Sequence, residues 1–328
     1  MPGPRANMKL PIRIILSLVI VIAGLIAVLI AFVYLWPLQT KSLQTPNPQK
    51  LSYPQSIGLA QALRTQDIRE GVKPGCLTTL YTHGYKSAQS VVMFHGVGSC
   101  PHQMEGLAQY FYARGYNVLV VRLPDHGLPN NKLHGKATAQ QYIALTNEAV
   151  NIAGGLGRET GAIGLSGGGV LTTWAAEYRP DTIRRILVLS PFYAPSTIQA
   201  PIWQRRVLNV VYGYGLLPDQ FSASGLSYHA LGQFGRIVAN LTSRPTNPNL
   251  ISVASVVAPG DTAIDHGLGE SIPKQLAATN HAIFHFYSPP ASWNLGHDIV
   301  TAGYNPDLNG HANDVYPIYL KLYEGQSP

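Results

Sequence analysis

Ser166 stands in the run Gly164-Leu165-Ser166-Gly167-Gly168, directly after a short apolar stretch and directly before an amphipathic one. A strand that turns sharply into a helix there needs small residues on both sides, and the turn leaves the hydroxyl exposed. A serine hydroxyl is a weak nucleophile at neutral pH and needs a base that is itself oriented by an acid. Two late loops supply them. Ala258-Pro259-Gly260-Asp261 follows the strand-like run Ser252–Val257, and Gly296-His297-Asp298 follows Ile283–Tyr287. The order Ser, Asp, His therefore predicts Ser166 as nucleophile, Asp261 as acid and His297 as base. Asp265 competes for the acid role, but it comes second after its strand and reads better as the cap of the next helix or as a lining group. Other late histidines fit less well: His281 and His285 precede or lie in a strand, His311 opens the final helix and His266 neighbours the acid loop.

Nucleophilic attack on a carbonyl also needs donors for the oxyanion that develops. Gly167, at the start of a helix, offers its backbone N–H. The second donor is expected from the loop His95-Gly96-Val97-Gly98, which follows the apolar run Val91–Phe94, and is assigned to the Val97 N–H. His95 and Gly96 are then expected to support that loop. His95, Cys100 and His102 do not match a paired-ligand zinc spacing, so no metal is predicted. The two cysteines of the chain, Cys76 and Cys100, form one bridge or remain as two buried thiols, and two positions do not decide between these.

The elements that must position these groups alternate along the chain. Strand-like segments occur at Leu77–Thr82, Ser90–Phe94, Asn117–Arg122, Ala162–Leu165, Ile186–Leu189, Ser252–Val257 and Ile283–Tyr287. Most are continuous apolar runs, as required of parallel strands covered on both faces. Helical patterns occur at Met104–Arg114, Ala139–Ala153, Val170–Tyr178, Gly269–Thr279 and Asn313–Glu324. This predicts an α/β fold with a mostly parallel, doubly wound sheet. The first two strands, joined through His83-Gly84-Tyr85-Lys86, are expected to form an antiparallel hairpin at the sheet edge. Residues 194–249, rich in Gly, Pro, Tyr and Ser, read as an inserted cap above the carboxyl ends of the strands.

Before this domain lies a segment of different character. From Ile14 to Trp36 no charged residue occurs, a run of about 23 residues, which at 1.5 Å per residue spans a bilayer core. A cleaved signal peptide is the competing reading, but its apolar region would be shorter and would end in small residues rather than in Tyr34, Leu35 and Trp36. The expected organisation is a short cytoplasmic N-terminus over 1–13, a transmembrane anchor over 14–36, a linker over 37–58 and a catalytic domain over 59–328. Arg5, Lys9 and Arg13 precede the span, so the positive-inside rule places the domain on the periplasmic or extracytoplasmic side. The net charge of +7 is otherwise dispersed, which argues against a nucleic-acid partner.

The run Val92-Met93-Phe94-His95-Gly96-Val97-Gly98-Ser99-Cys100-Pro101, the pair Gly115-Tyr116 and Arg122-Leu123-Pro124-Asp125-His126-Gly127 resemble the carboxylesterase and monoacylglycerol lipase branch of the α/β-hydrolase superfamily. The resemblance covers about Ser90 to the C-terminus outside the cap. It implies a cofactor-free Ser-His-Asp mechanism on small-molecule or lipidic esters. Two positions depart from that branch: Asp125 stands where glycine is usual, and Gly167 stands where a bulkier residue often follows the nucleophile. Within the superfamily, an acyltransferase, a peptidase or a binding protein without catalysis remains an alternative.

Overall fold

A computed structural model describes residues 9–242, 244–301, 308 and 310–328, and the side chains from residue 14 onward. The first residues of the expected cytoplasmic segment, 1–8, lie outside the described residues. The chain divides into two units, residues 1–37 and residues 38–328. In the first, the helix α1 (Lys9–Leu35) contains the 22-residue stretch Ile14–Leu35, whose mean hydropathy of 3.3 makes it long and apolar enough to cross a membrane.

The second unit begins with α2 (Tyr53–Arg69), β1 (Thr79–Tyr81), β2 (Ser87–Phe94), α3 (Glu105–Tyr112) and β3 (Asn117–Val121). It continues through α4 (Ala139–Leu156), β4 (Gly157–Leu165), α5 (Gly167–Tyr178) and β5 (Ile183–Leu189). The insertion then supplies α6 (Ile202–Val211) and α7 (Tyr228–Val238), after which come β6 (Ser252–Val256), α8 (His266–Thr279), β7 (Ile283–Tyr287) and α9 (Ala312–Tyr323). The sheet order is β1-β3-β2-β4-β5-β6-β7, with every pair parallel except β1 with β3. This is the α/β-hydrolase fold.

The apolar runs work as two-faced strands. Val92 and Phe94 of β2, Leu119 and Val121 of β3, and Ile186 and Val188 of β5 pack on one face with Tyr142 and Trp174. Their neighbours Val91, Met93, Val118, Val120, Leu187 and Leu189 pack on the other with Leu107, Phe111 and Tyr319. Period-two alternation inside a continuous apolar run thus fills two cores at once.

Two expectations are corrected. β1 does not form a hairpin with β2. Both edges of β2 are taken by parallel partners, β3 and β4, so β1 caps the open edge of β3 instead. Asn117 holds the connection in place, its Oδ1 accepting from the His83 N–H at 2.9 Å and its Nδ2 donating to the Tyr85 carbonyl at 2.8 Å. Nor does the stretch 37–58 stand free as a linker. Leu43 is fully buried, and its carbonyl accepts from Trp174 Nε1 at 2.7 Å. The amides of Asn47 and Gln49 donate to the side-chain oxygens of Asn147 and Asn151, each at 2.9 Å. Backbone polar groups in a segment without its own ladder need such partners, and α4 provides them. α2 starts at Tyr53, where Ser52 and Gln55 form a capping box.

Candidate active site

β4 ends at Leu165 and α5 begins at Gly167, so Ser166 is left to make the whole turn. Its backbone lies at φ 55°, ψ −117°, a conformation that side chains rarely adopt. The turn is pinned by the Ser166 N–H to the Leu189 carbonyl at 2.9 Å and by the Phe192 N–H to the Ser166 carbonyl at 3.0 Å. Small flanking residues are a steric requirement: a Cβ on Gly164 would lie 2.1 Å from the Gly168 carbonyl oxygen, and one on Gly168 would lie 2.1 Å from that of Phe94. Strain of this kind, held by the surrounding bonds, concentrates at functional sites.

Asp261 follows β6 and is only 4% exposed. Its Oδ2 accepts from His297 Nδ1 at 2.8 Å, and its Oδ1 accepts from the Ala263 N–H at 2.8 Å. Burial alone would raise its pKa, but the bond and charge of His297 together with the Ala263 amide outweigh burial and hold the carboxyl below its ordinary value. His266 Nε2 donates to the Asp261 carbonyl at 2.5 Å. Asp265 caps α8, accepting from the Leu268 N–H at 3.0 Å. With Nδ1 engaged by Asp261, the second ring nitrogen of His297 is the one left for proton transfer. Ser166 and His297 line the same cavity, of about 370 Å³.

The loop after β2 forms another wall. Gly96 donates its N–H to Gln103 Oε1 at 2.8 Å. Gln103 Nε2 in turn donates to Asp298 Oδ2 at 2.8 Å, and Asp298 Oδ1 receives the N–H groups of Val300 and Thr301 at 3.0 Å. Gln103 thus ties the Gly96 loop to the loop that carries His297. That loop is also held from α9, whose Tyr316 and Tyr319 hydroxyls donate to the carbonyls of Val300 and Ile299 at 2.7 and 2.8 Å. Gln103 and Asp298 were not assigned roles from the sequence; their bond spans 195 positions, and no local pattern announces it.

His95 is fully buried, which pushes its pKa down to about 4 against the opposing bond to Gly96. Its Nε2 accepts the Leu123 N–H at 3.0 Å, so the proton sits on Nδ1 and is donated to the Gly96 carbonyl at 2.8 Å. Among the described residues, no hydrogen-bond acceptor is found for the N–H of Val97 or Gly167. A Cβ on Gly167 would lie 2.6 Å from Val97 Cγ2 and 2.9 Å from the Phe234 ring, so glycine here lets the insertion close down on the elbow. Asp125 adopts φ 60°, a left-handed conformation that aspartate tolerates better than most residues, which explains its presence at a glycine position. Cys76 and Cys100 are joined in a disulfide that ties the chain before β1 to the Gly96 loop. Among the described residues no cluster of three His, Cys, Asp or Glu could hold a metal, and His102 pairs instead with Glu105 at 2.8 Å.

The insertion roofs this cavity. Its root is stitched to the acid loop by the Ser196 N–H to the Ala263 carbonyl and the Asp265 N–H to the Ala194 carbonyl, both at 3.0 Å. Leu208 and Asn209 of α6 and Leu231 and Gly235 of α7 line it.

No family model matches the chain. Over 91 residues it is 32% identical to a thermostable monoacylglycerol lipase of Bacillus sp. (strain H-257), a match that spans 28% of this chain and 36% of that lipase. The chain therefore matches about a third of that relative's length. Among solved structures it resembles one from work on the metagenome-derived lipolytic enzymes LipS and LipT, with 18% identity, 77% of this chain and 99% of that one covered, and a TM-score of 0.54. It also resembles the monoacylglycerol lipase of Paleococcus ferrophilus, with 14% identity, coverage of 76% and 99%, and a TM-score of 0.54. A soluble variant of the monoglyceride lipase from Saccharomyces cerevisiae aligns with 12% identity, coverage of 77% and 92%, and a TM-score of 0.52. At these identities the structural matches speak for the fold alone.

Proposed function

We propose that this chain, which has the α/β-hydrolase fold and resembles its carboxylesterase and monoacylglycerol lipase branch, is a membrane-anchored serine hydrolase that cleaves carboxylic esters. The observation that carries the reading is the strained Ser166 sharing a cavity with a histidine whose Nδ1 is bonded to a buried carboxylate. Ser166 Oγ attacks the ester carbonyl carbon while His297 Nε2 takes the hydroxyl proton. Asp261 keeps the imidazole in the Nδ1–H tautomer and stabilises the imidazolium. The oxyanion is received by the N–H groups of Val97 and Gly167; the Gly96 N–H is already committed to Gln103, which favours Val97 as the donor from this loop. The tetrahedral intermediate then collapses, the C–O bond to the alcohol breaks, and the imidazolium returns its proton to the leaving oxygen. Water repeats the sequence on the acyl-enzyme and releases the acid.

The apolar stretch Ile14–Leu35 acts in this reading as an uncleaved anchor, and a lipidic ester suits an enzyme held at a bilayer. The Cys76–Cys100 bond fits an oxidising compartment, in keeping with a catalytic domain outside the cytoplasm. The test is labelling of the full chain in detergent with a fluorophosphonate probe. Labelling at Ser166, with turnover of p-nitrophenyl esters that falls about 10⁴-fold or more in Ser166→Ala, is the expected result. An unlabelled Ser166, or ester turnover unchanged by the substitution, overturns the reading.

A further inference from the structure

Gln103 stands on a short 3-10 helix, Pro101–Met104, and lines the cavity that also takes in Ser166 and His297. It lines a second cavity as well, of about 640 Å³, which Asp298 and Thr301 border too. A side chain that borders two cavities has less packing to hold it, so its hydrogen bonds decide where it sits. The Gly96 backbone lies close to both Gln103 and the nucleophile: a Cβ on Gly96 would be 3.3 Å from Gln103 Oε1 and 3.4 Å from Ser166 Cβ.

The two ends of the Gln103 amide have opposite tasks. Oε1 accepts the Gly96 N–H and Nε2 donates to Asp298 Oδ2, each at 2.8 Å. Turned over, the amide would set its NH₂ against an N–H and its oxygen against a carboxylate, so the partners fix its orientation. Asp298 is itself held: Oδ1 accepts the Val300 and Thr301 N–H groups at 3.0 Å, and Oδ2 accepts the Thr301 hydroxyl at 2.7 Å. Gly96 directly precedes Val97, and Asp298 directly follows His297. One amide thus joins the backbone beside the expected oxyanion donor to the backbone beside the expected base.

We propose that Gln103 is a positioning residue for catalysis: through Asp298 it sets the Val97 N–H against the His297 imidazole, so that both meet the same substrate carbonyl. The proposal rests on the serine hydrolase reading. A misplacement of about 1 Å in such a pair costs on the order of 100-fold in rate.

The test exchanges the roles of the two side chains. In Gln103→Glu two carboxylates face each other across the 2.8 Å contact, which their like charges oppose. In Asp298→Asn the remaining oxygen keeps the Val300 and Thr301 amides while the new NH₂ faces Gln103 Nε2, donor against donor. Turning the Gln103 amide over only moves the mismatch to Gly96. With both substitutions together, the introduced carboxylate accepts from Gly96 and from the introduced amide, so the bond runs in the opposite direction at the same net charge. kcat and KM for a p-nitrophenyl ester are measured on the full chain in detergent, with kcat counted per site that a fluorophosphonate labels, so that unfolded chain does not enter. Each single substitution is expected to lower kcat by about tenfold or more with KM held within about threefold, and the pair to regain kcat to within about threefold of the parent. Either single variant beside the pair carries the test where the other does not fold. Single variants that keep the parent's kcat, a loss confined to KM, or a pair no better than its single variants, folded or not, overturns the proposal and leaves the hydrolase reading standing. A parent chain with neither turnover nor label at Ser166 overturns that reading, and this proposal falls with it.

Discussion

At the scale of single residues, the site depends on a division of labour between two buried groups of opposite tendency. Asp261 is kept ionised despite burial because His297 and the Ala263 amide stabilise its charge, while His95 is kept neutral because burial dominates its bond to Gly96. Asp261→Asn is therefore expected to reduce kcat by about 10⁴-fold, because the amide presents the wrong partner to Nδ1, with the fold preserved. The same carboxylate contributes stability that is present above its ordinary pKa and is lost as pH falls through the lower folded value. Thermal melts below about pH 4 should accordingly show a shallower acid loss for Asp261→Asn than for the parent chain. An equally steep loss in both proteins would remove Asp261 from that account.

At the scale of elements, α5 both starts at the elbow and carries Glu177 into the interior, where the Thr242 N–H donates to Oε2 at 2.8 Å. Burial outweighs that bond and pushes the Glu177 carboxyl up to about 8. A folded value above the unfolded one means that the folded chain holds a proton the unfolded chain has released, so the stabilising contribution is complete below the ordinary carboxylate value and is lost as pH rises to about 8. Glu177→Gln keeps an acceptor for Thr242 and cannot ionise. Its melting temperature at pH 8, relative to that at pH 5, should exceed the parent's by several degrees, on the order of 1–3 kcal/mol. Parallel pH dependences of the two proteins would show that α5 tolerates the charge. The loops that carry the candidate site residues are joined in a related way: Gln103 reaches from one to the other, so the Gly96 and His297 loops are positioned as a pair.

At the scale of the whole molecule, the unit that holds the candidate site extends back to residue 38, well before the first residue its own hydrophobic pattern suggests. Compared with truncation after residue 37, truncation after residue 50 should lower the melting temperature of the domain clearly. The second cut removes Leu43, a fully buried leucine worth about 2 kcal/mol, together with the bonds to Trp174, Asn147 and Asn151. Equal melting of the two truncations would show that the strap is not part of the fold. The Cys76–Cys100 bond closes a loop of 24 positions, and Cys76→Ser with Cys100→Ser should cost about 3 kcal/mol, read as a lower denaturation midpoint.

What the sequence by itself determined was whatever is local or periodic. The apolar runs marked the parallel strands and the glycines around Ser166 marked the elbow, because the period of a strand and the room for a tight turn are properties of neighbouring residues. The placing of Asp261 and His297 after late strands followed from chain order, for the same reason. Tertiary structure alone decided which strand edge β1 covers, since that depends on how many partners β2 already has. It also decided that the Pro- and Gln-rich stretch after residue 37 lies packed on α4, because polar composition does not reveal whether a backbone amide will meet water or Asn147. The strut through Gln103 belongs to the same class: it is a relation between side chains distant along the chain, and only folding brings them into reach.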